Sequence, residues 1–412
     1  MRKIFFTWMI FHLLASCGLN AQNVTNVTFK IVGDKAIINY SLDKEADIYL
    51  YVSTNENEGW NTSFMNWSVY QSTAPALRAV KGDVGRRIKP GQNKQIVWAY
   101  KEEISIFFGR SENGITSSFV INDKKWSDSS LSSLQFKVEA CPSTDEPDLV
   151  WIDGCDGLGN YWIGRYPVTI YEYSLFIKET HYITQAEKQG YAEIWDYTKN
   201  DFGKKEGVTW KCDESGNERD PSEYELYPVV NVSWEDATAY CVWLSEKYNK
   251  YYDLPDIREW YEACACLVPG SLFFGGFGKL KKDGIQERIG GNPNEIGWFD
   301  FNSSKEIHPI GKKRPNSLHL YDMRGNVYEW TANPINLETS EAVYTKDKYE
   351  ELARSNKLTH YNGIGGSSFE PYDDLINSLR YWSKTATGIN IGFRVCMTPK
   401  ENTSWKNYIP SR

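Results

Sequence analysis

From residue 23 to about residue 138 apolar and polar positions alternate with a period of two. Val27, Phe29 and Ile31 form one such row, Ala36, Ile38 and Tyr40 a second, and Ile48, Leu50 and Val52 a third. That period is the mark of half-buried strands. Gly33-Asp34 separates the first two rows as a hairpin turn would. Pro90 and Gly91 occupy the centre of Lys89-Pro90-Gly91-Gln92, the positions of a type II turn, and Gln95 to Tyr100 resumes as strand. Strands at this spacing predict a small all-β sandwich over 23–138.

Beyond a polar, proline-bearing stretch at 139–147, read as a linker, the period changes to that of helices. Thr169 is placed to cap a helix that sets Tyr173, Phe176 and Ile177 on one face. Ser233 with Asp236 three residues on has the form of a capping box, followed by Ala237, Tyr240, Cys241 and Leu244 at helical spacing. A third helix, after Leu254-Pro255, carries Trp260, Ala263 and Cys264. From about residue 265 the chain is rich in Gly, Asn and rings and poor in long periodic runs. This predicts a large irregular domain over 148–398 with a short tail at 399–412.

The first 21 residues read as a targeting segment. Arg2 and Lys3 precede an apolar run from Ile4 to Ala15, too short to span a bilayer but suited to a signal-peptide core. Leu14-Ala15-Ser16-Cys17 has the form of a bacterial lipobox, in which Cys17 is lipidated; Leu19-Asn20-Ala21 before Gln22 offers plain cleavage instead. The expected location is therefore outside the cytoplasm: periplasmic, secreted, or tied to the outer membrane through that lipid alone.

Composition adds two points. Rings are abundant, with 16 Trp, 27 Tyr and 18 Phe making 15% of the chain, which suits irregular cores and binding surfaces. The net charge of -8, with no basic stripe, argues against nucleic acid as a partner.

Several stretches together carry a family resemblance. YWIGRYPVT (161–169), YPVVNVSWED (227–236) with LPDIREWYEAC (254–264), PNSLHLYDMRGNVYEW (315–330), Gly365-Gly366-Ser367 and Ile391-Gly392-Phe393-Arg394 occur in the order found in the formylglycine-generating-enzyme, or sulfatase-modifying factor, family. The chain resembles that family over roughly 148–398. The resemblance implies an α+β fold, an irregular domain related to C-type lectins; the preceding segment loosely resembles immunoglobulin- or fibronectin-like modules.

The resemblance also implies a calcium ion held by the Asp322 side chain, the carbonyls of Gly325 and Val327, and Glu329. Calcium takes six to eight such hard oxygens. The alternative for Asp322 and Glu329 is to cap the turn or to pair with a buried arginine.

Formylglycine formation in the family uses copper held by two cysteine thiolates shortly after the Gly-Gly-Ser motif. Here no Cys lies between Cys266 and Cys396, so no copper is expected and the oxidase activity is not either. A related branch of the family binds iron through three histidines; His181, His308, His319 and His360 lie too far apart in the sequence to suggest it.

The expectation is a non-catalytic, exported binding or structural protein of the envelope, with a protein or glycan ligand. Trp298, Phe369, Tyr372, Arg380 and Arg394 are its candidate cleft residues, with a buried structural role, paired with an acid such as Glu329, as the alternative for the two arginines. The alternative is an enzyme of the same fold, a sulfatase-modifying-type oxidoreductase or related modifying enzyme, working through acids: Glu370, Asp373 and Asp374.

Overall fold

The computed structural model describes residues 24–53, 61–62, 80–82, 84–99, 119–121, 124–126, 135–141, 143–152, 154, 158–265, 293–316, 318, 320–372 and 379–399. These fall into two compact units that divide between Asp145 and Glu146.

The first unit holds strands β1 (Val24–Val32), β2 (Lys35–Leu42), β3 (Ala46–Ser53), β4 (Asn61–Thr62), β5 (Val80–Gly82), β6 (Gly85–Ile88), β7 (Gly91–Trp98), β8 (Phe119–Ile121), β9 (Lys124–Trp126) and β10 (Gln135–Cys141). One sheet runs β1-β2-β7-β5 and a second runs β10-β3-β4, with β6 also on β3. Ile38, Tyr40, Ile96 and Trp98 from the first sheet share one buried cluster with Ile48, Leu50 and Val138 from the second. The expected alternation is thus realised on β2, where Ala36, Ile38, Tyr40 and Leu42 are buried and their neighbours are not.

Two expectations fail here. Val27, Phe29 and Ile31 of β1 are 37–46% exposed, so that row does not join the core. The type II turn is not formed either. Gly91 is absent from the residues with positive φ and instead opens β7, pairing with Leu42. Sheet pairing has overridden the local turn chemistry.

The second unit begins with β11 (Leu149–Ile152) and β12 (Tyr161–Gly164). It continues through β13 (Tyr191–Asp196), β14 (Asp201–Glu206), β15 (Tyr251–Asp253), β16 (Tyr328–Asn336), β17 (Glu341–Ala342), β18 (His360–Ile364), β19 (Arg380–Ser383), β20 (Ile391–Phe393) and β21 (Cys396–Thr398). The sheet β11-β12-β21-β15 ties the start of the unit to its end, and a second sheet is built around β16, which pairs β17, β18 and β20. Thr169 caps the helix Ile170–Thr180 and Ser233 caps Trp234–Tyr248, each as a complete capping box with Glu172 and Asp236 respectively. The third expected helix runs Ile257–Ala265. A fourth long helix, Lys346–Arg354, and the hairpin β13–β14 were not visible in the sequence pattern.

Between the first two helices and the sheet, Tyr173, Phe176, Tyr240 and Phe393 meet edge to face or stacked, with centroids 5.3–6.2 Å apart. Such pairs add to area burial. Strand β16 runs through the middle of the unit with all nine residues buried. Its alternate residues Glu329, Thr331 and Asn333 are polar and fully buried, which is tolerable only because each finds partners. Thr331 Oγ1 donates to the Asn362 carbonyl (3.1 Å). Asn333 donates to the Val343 carbonyl (2.9 Å) and accepts the Ile257 amide (2.8 Å).

Candidate functional site

The stretch 322–327 forms a turn with three residues in the left-handed region: Asp322 at φ 53°, Gly325 at 71° and Asn326 at 63°. Gly325 is required twice over, because a Cβ there would lie 2.2 Å from the Trp298 carbonyl oxygen. The turn is fixed from several sides. The Gly325 amide donates to the Gly365 carbonyl (2.8 Å), the Asn326 amide to the Trp298 carbonyl (2.8 Å), and the Ser368 amide to the Asn326 carbonyl (2.9 Å). The Asn326 side chain accepts the His308 amide and donates to the His308 carbonyl, both at 3.0 Å. The Asp322 turn and the Gly365-Gly366-Ser367 turn therefore form one structure.

Asp322 is 3% exposed. Its Oδ2 accepts the Gly311 amide at 2.7 Å, while Oδ1 is buried with no hydrogen-bond partner among the described residues. Burial pushes its carboxyl up to about 6, against the pull of the Gly311 amide and of Arg394. A carboxylate oxygen left unsatisfied in a turn of this kind suits a hard cation.

Glu329 is placed differently. Arg394 meets it edge-on, with Nε 2.9 Å from Oε2 and Nη2 2.7 Å from Oε1, and the Trp260 indole donates to Oε2 at 2.6 Å. Arg394 also donates to the carbonyls of Gly164 (2.6 Å) and Tyr321 (2.9 Å). Both side chains are inaccessible. Glu329 is the counter-ion of Arg394, so its carboxylate is already engaged. Arg394 is correspondingly not a cleft residue: it pins β20 to β16 and to the entry strand β12. Among the described residues no group of three or more His, Cys, Asp or Glu side chains is placed to hold a metal. Of the expected calcium ligands, Asp322 alone presents a side-chain oxygen without a hydrogen-bond partner among the described residues.

The other candidates separate by exposure. Phe369 is 2% exposed and packs against Trp195 and Phe202, each 5.8 Å away, so it belongs to the core and not to a cleft. Trp298 is half-buried, stacked on His308 at 3.7 Å with Lys313 Nζ 3.6 Å from the ring centre. Tyr372 is half-buried and accepts a hydrogen bond from Arg324 Nη1 at 2.9 Å. Arg380 is exposed in β19. The half-buried Glu370 accepts the Tyr328 hydroxyl, and the Lys305 ammonium donates to the adjacent Phe369 carbonyl at 2.7 Å. Asp373, Asp374, His319 and Cys17 lie outside the described residues. Cys212, Cys241, Cys264 and Cys396 are buried thiols within the apolar clusters of the domain.

The Gly325-Asn326 turn was legible, since Gly-Asn favours positive φ. Sequence reasoning missed Arg324, Tyr328 and Trp260 as parts of this region. No signal existed for Arg324, whose partners are distant in the chain.

Comparison with known proteins gives a consistent set of matches. The sulfatase-modifying factor enzyme 1-like domain matches residues 157–399. The formylglycine-generating enzyme of Mus musculus is 25% identical over 215 residues, covering 46% of this chain and 54% of that one. The inactive C-alpha-formylglycine-generating enzyme 2 of the same organism is 29% identical over 215 residues, covering 46% and 64%. This chain thus spans between about half and two thirds of those relatives' length. Among solved structures, PvdO from Pseudomonas aeruginosa aligns over 60% of this chain and 83% of its own, at 21% identity and a TM-score of 0.40.

Proposed function

The chain belongs to the sulfatase-modifying factor enzyme 1-like family, and from that premise we propose that it binds a ligand at the cell envelope instead of oxidising one. The observation that carries this reading is the placement of cysteine. The chain has none from residue 267 to 395, and the described thiols at 212, 241, 264 and 396 are all buried in apolar clusters. The Gly365-Gly366-Ser367 turn leads instead into Phe369, a core residue, and Glu370, whose carboxylate accepts the Tyr328 hydroxyl. Soft thiolate ligands for Cu(I) are missing where the family's chemistry needs them. That a mouse relative carries the name of an inactive enzyme supports such a role within the family.

In this proposal the domain keeps the C-type-lectin-related architecture of its family, and the two sheets before it form an immunoglobulin-like sandwich. A calcium ion is the scaffold of the Asp322 turn, held by Asp322 and by the carbonyls of Gly325 and Val327. The leader directs export and Cys17 carries the lipid; no described helix is long and apolar enough to cross a membrane. The ligand is a protein or glycan outside the cytoplasm.

Titration of the purified chain with Cu(I) tests the reading. No stoichiometric tight site is expected, and one that survives a competing chelator overturns it. Palmitate labelling that persists in Cys17→Ala removes the lipid anchor from the account.

A further inference from the structure

Four large apolar side chains stand exposed within six positions of one strand. Val27, Phe29, Ile31 and Val32 of β1 are 40, 46, 37 and 50% exposed. The other exposed large apolar residues among the described ones are spread through the second unit. Single exposed rings or aliphatics are ordinary on a protein surface, whereas a contiguous row marks a place of contact. The backbone holds this row in a fixed position. Phe29 pairs with Ile38 and Ile31 with Ala36 across β2, and both of those partners are buried. The Phe29 ring also leans on Phe136 of the other sheet, with centroids 4.6 Å apart. Pairing thus fixes the row at the end of its sheet with part of each side chain left open to solvent.

Two further features say what the row meets. The strand begins seven positions after Cys17. Even fully extended, that length of chain reaches only about 25 Å, less than the roughly 30 Å that the nine residues of β1 themselves span. A lipid on Cys17 therefore keeps the start of this strand within that distance of the bilayer surface. Lys30 and Lys35 are exposed beside the row, Lys35 opposite Val32, and they outnumber the exposed Asp34 of the turn between the strands. Apolar side chains flanked by ammonium groups suit the boundary between acyl chains and anionic headgroups.

We propose that the exposed row of β1 docks into the surface of the membrane that carries the Cys17 lipid, so that two contacts hold the first unit at the bilayer. Apolar area buried at the headgroup boundary adds to the hold of an acyl chain. The proposal deepens the envelope reading above and rests on it for the lipid.

The test is flotation of the exported chain carrying Cys17→Ala, which has no acyl group, with vesicles of phosphatidylethanolamine containing phosphatidylglycerol. That chain is expected to float in proportion to the lipid present. Phe29→Glu and Ile31→Glu, added singly, are each expected to lower the partition about tenfold or more. Leu226→Glu makes the same change of charge at an exposed position of the second unit and is expected to leave the partition unchanged. No flotation without the acyl group, or equal losses in all three variants, overturns the docking and leaves the anchor standing. A dimer that Phe29→Glu abolishes, in a chain that does not float, gives the row to a second copy and overturns it too. So does a thermal midpoint lowered by about 10 °C or more in Phe29→Glu, which would show that the chain itself covers the row. Absence of palmitate on the unaltered chain removes the anchor alone, because the flotation is read without it.

Discussion

Arg394 and Glu329 meet edge to edge, two hydrogen bonds in parallel at 2.9 and 2.7 Å, with neither side chain open to water. The pair joins β20 to β16, two strands that also run parallel in register, with Glu329 opposite Gly392. A buried pair of this geometry does not by itself add much stability over an apolar substitute, but breaking it leaves one charge stranded.

Glu329→Gln is therefore expected to destabilise the domain by about 3–5 kcal/mol. Urea unfolding followed by tryptophan fluorescence measures it. A loss below about 1 kcal/mol means that water reaches Arg394 and that the pair is not the closed unit described.

Asp322 sets a pH dependence of defined sign. Its carboxyl stands at about 6 in the folded protein against an ordinary 3.8, with burial as the leading cause. Between those values the folded state holds the extra proton, so stability in EDTA should fall as pH rises from about 4 to about 6. The full effect is on the order of 2–3 kcal/mol, and Asp322→Asn should flatten that slope. Calcium should restore what the ionised carboxylate costs, raising the thermal midpoint above pH 6 in wild type and not in Asp322→Ala. A midpoint indifferent to calcium in wild type removes the ion from the account.

Gly392 has no room for a side chain, since a Cβ would lie 2.4 Å from the Val229 carbonyl oxygen. Gly392→Ala must push β20 off its neighbour and should cost about 1–3 kcal/mol or more. Ser233→Ala removes the acceptor for the Asp236 amide at the start of Trp234–Tyr248 and should cost about 1–2 kcal/mol. The two sites are distinct, and their losses should add in the double variant; strong coupling between them would show that the helix and β20 fail as one unit.

What could be read from the chain beforehand follows the range of the forces involved. The Ser233–Asp236 capping box and the Thr169 cap were legible because such exchanges span three residues; that Glu172 completes the second box emerged only in the structure. The β2 alternation was legible too. The Pro90-Gly91 turn misled because the pairing of Gly91 with Leu42, 49 positions away by 91 − 42, decided the backbone there. Arg394 and Glu329 are 65 residues apart, yet a buried arginine paired with Glu329 could be read from the residue types; what the sequence did not show is the two-pronged geometry and the Trp260 indole that completes it. Phe369 was read as a cleft ring because its partners, Trp195 and Phe202, lie in a hairpin that no periodicity announced. Arg324 was invisible for the same reason, since the hydroxyl that it meets, on Tyr372, lies 48 residues on.

The central claim is that this family member lacks the oxidation chemistry. Incubating the full chain with Cu(I), oxygen and a cysteine-bearing sulfatase-type peptide, and following the cysteine by mass spectrometry, tests it most directly. The account predicts an unchanged peptide. Multiple-turnover conversion of the cysteine to formylglycine would contradict it.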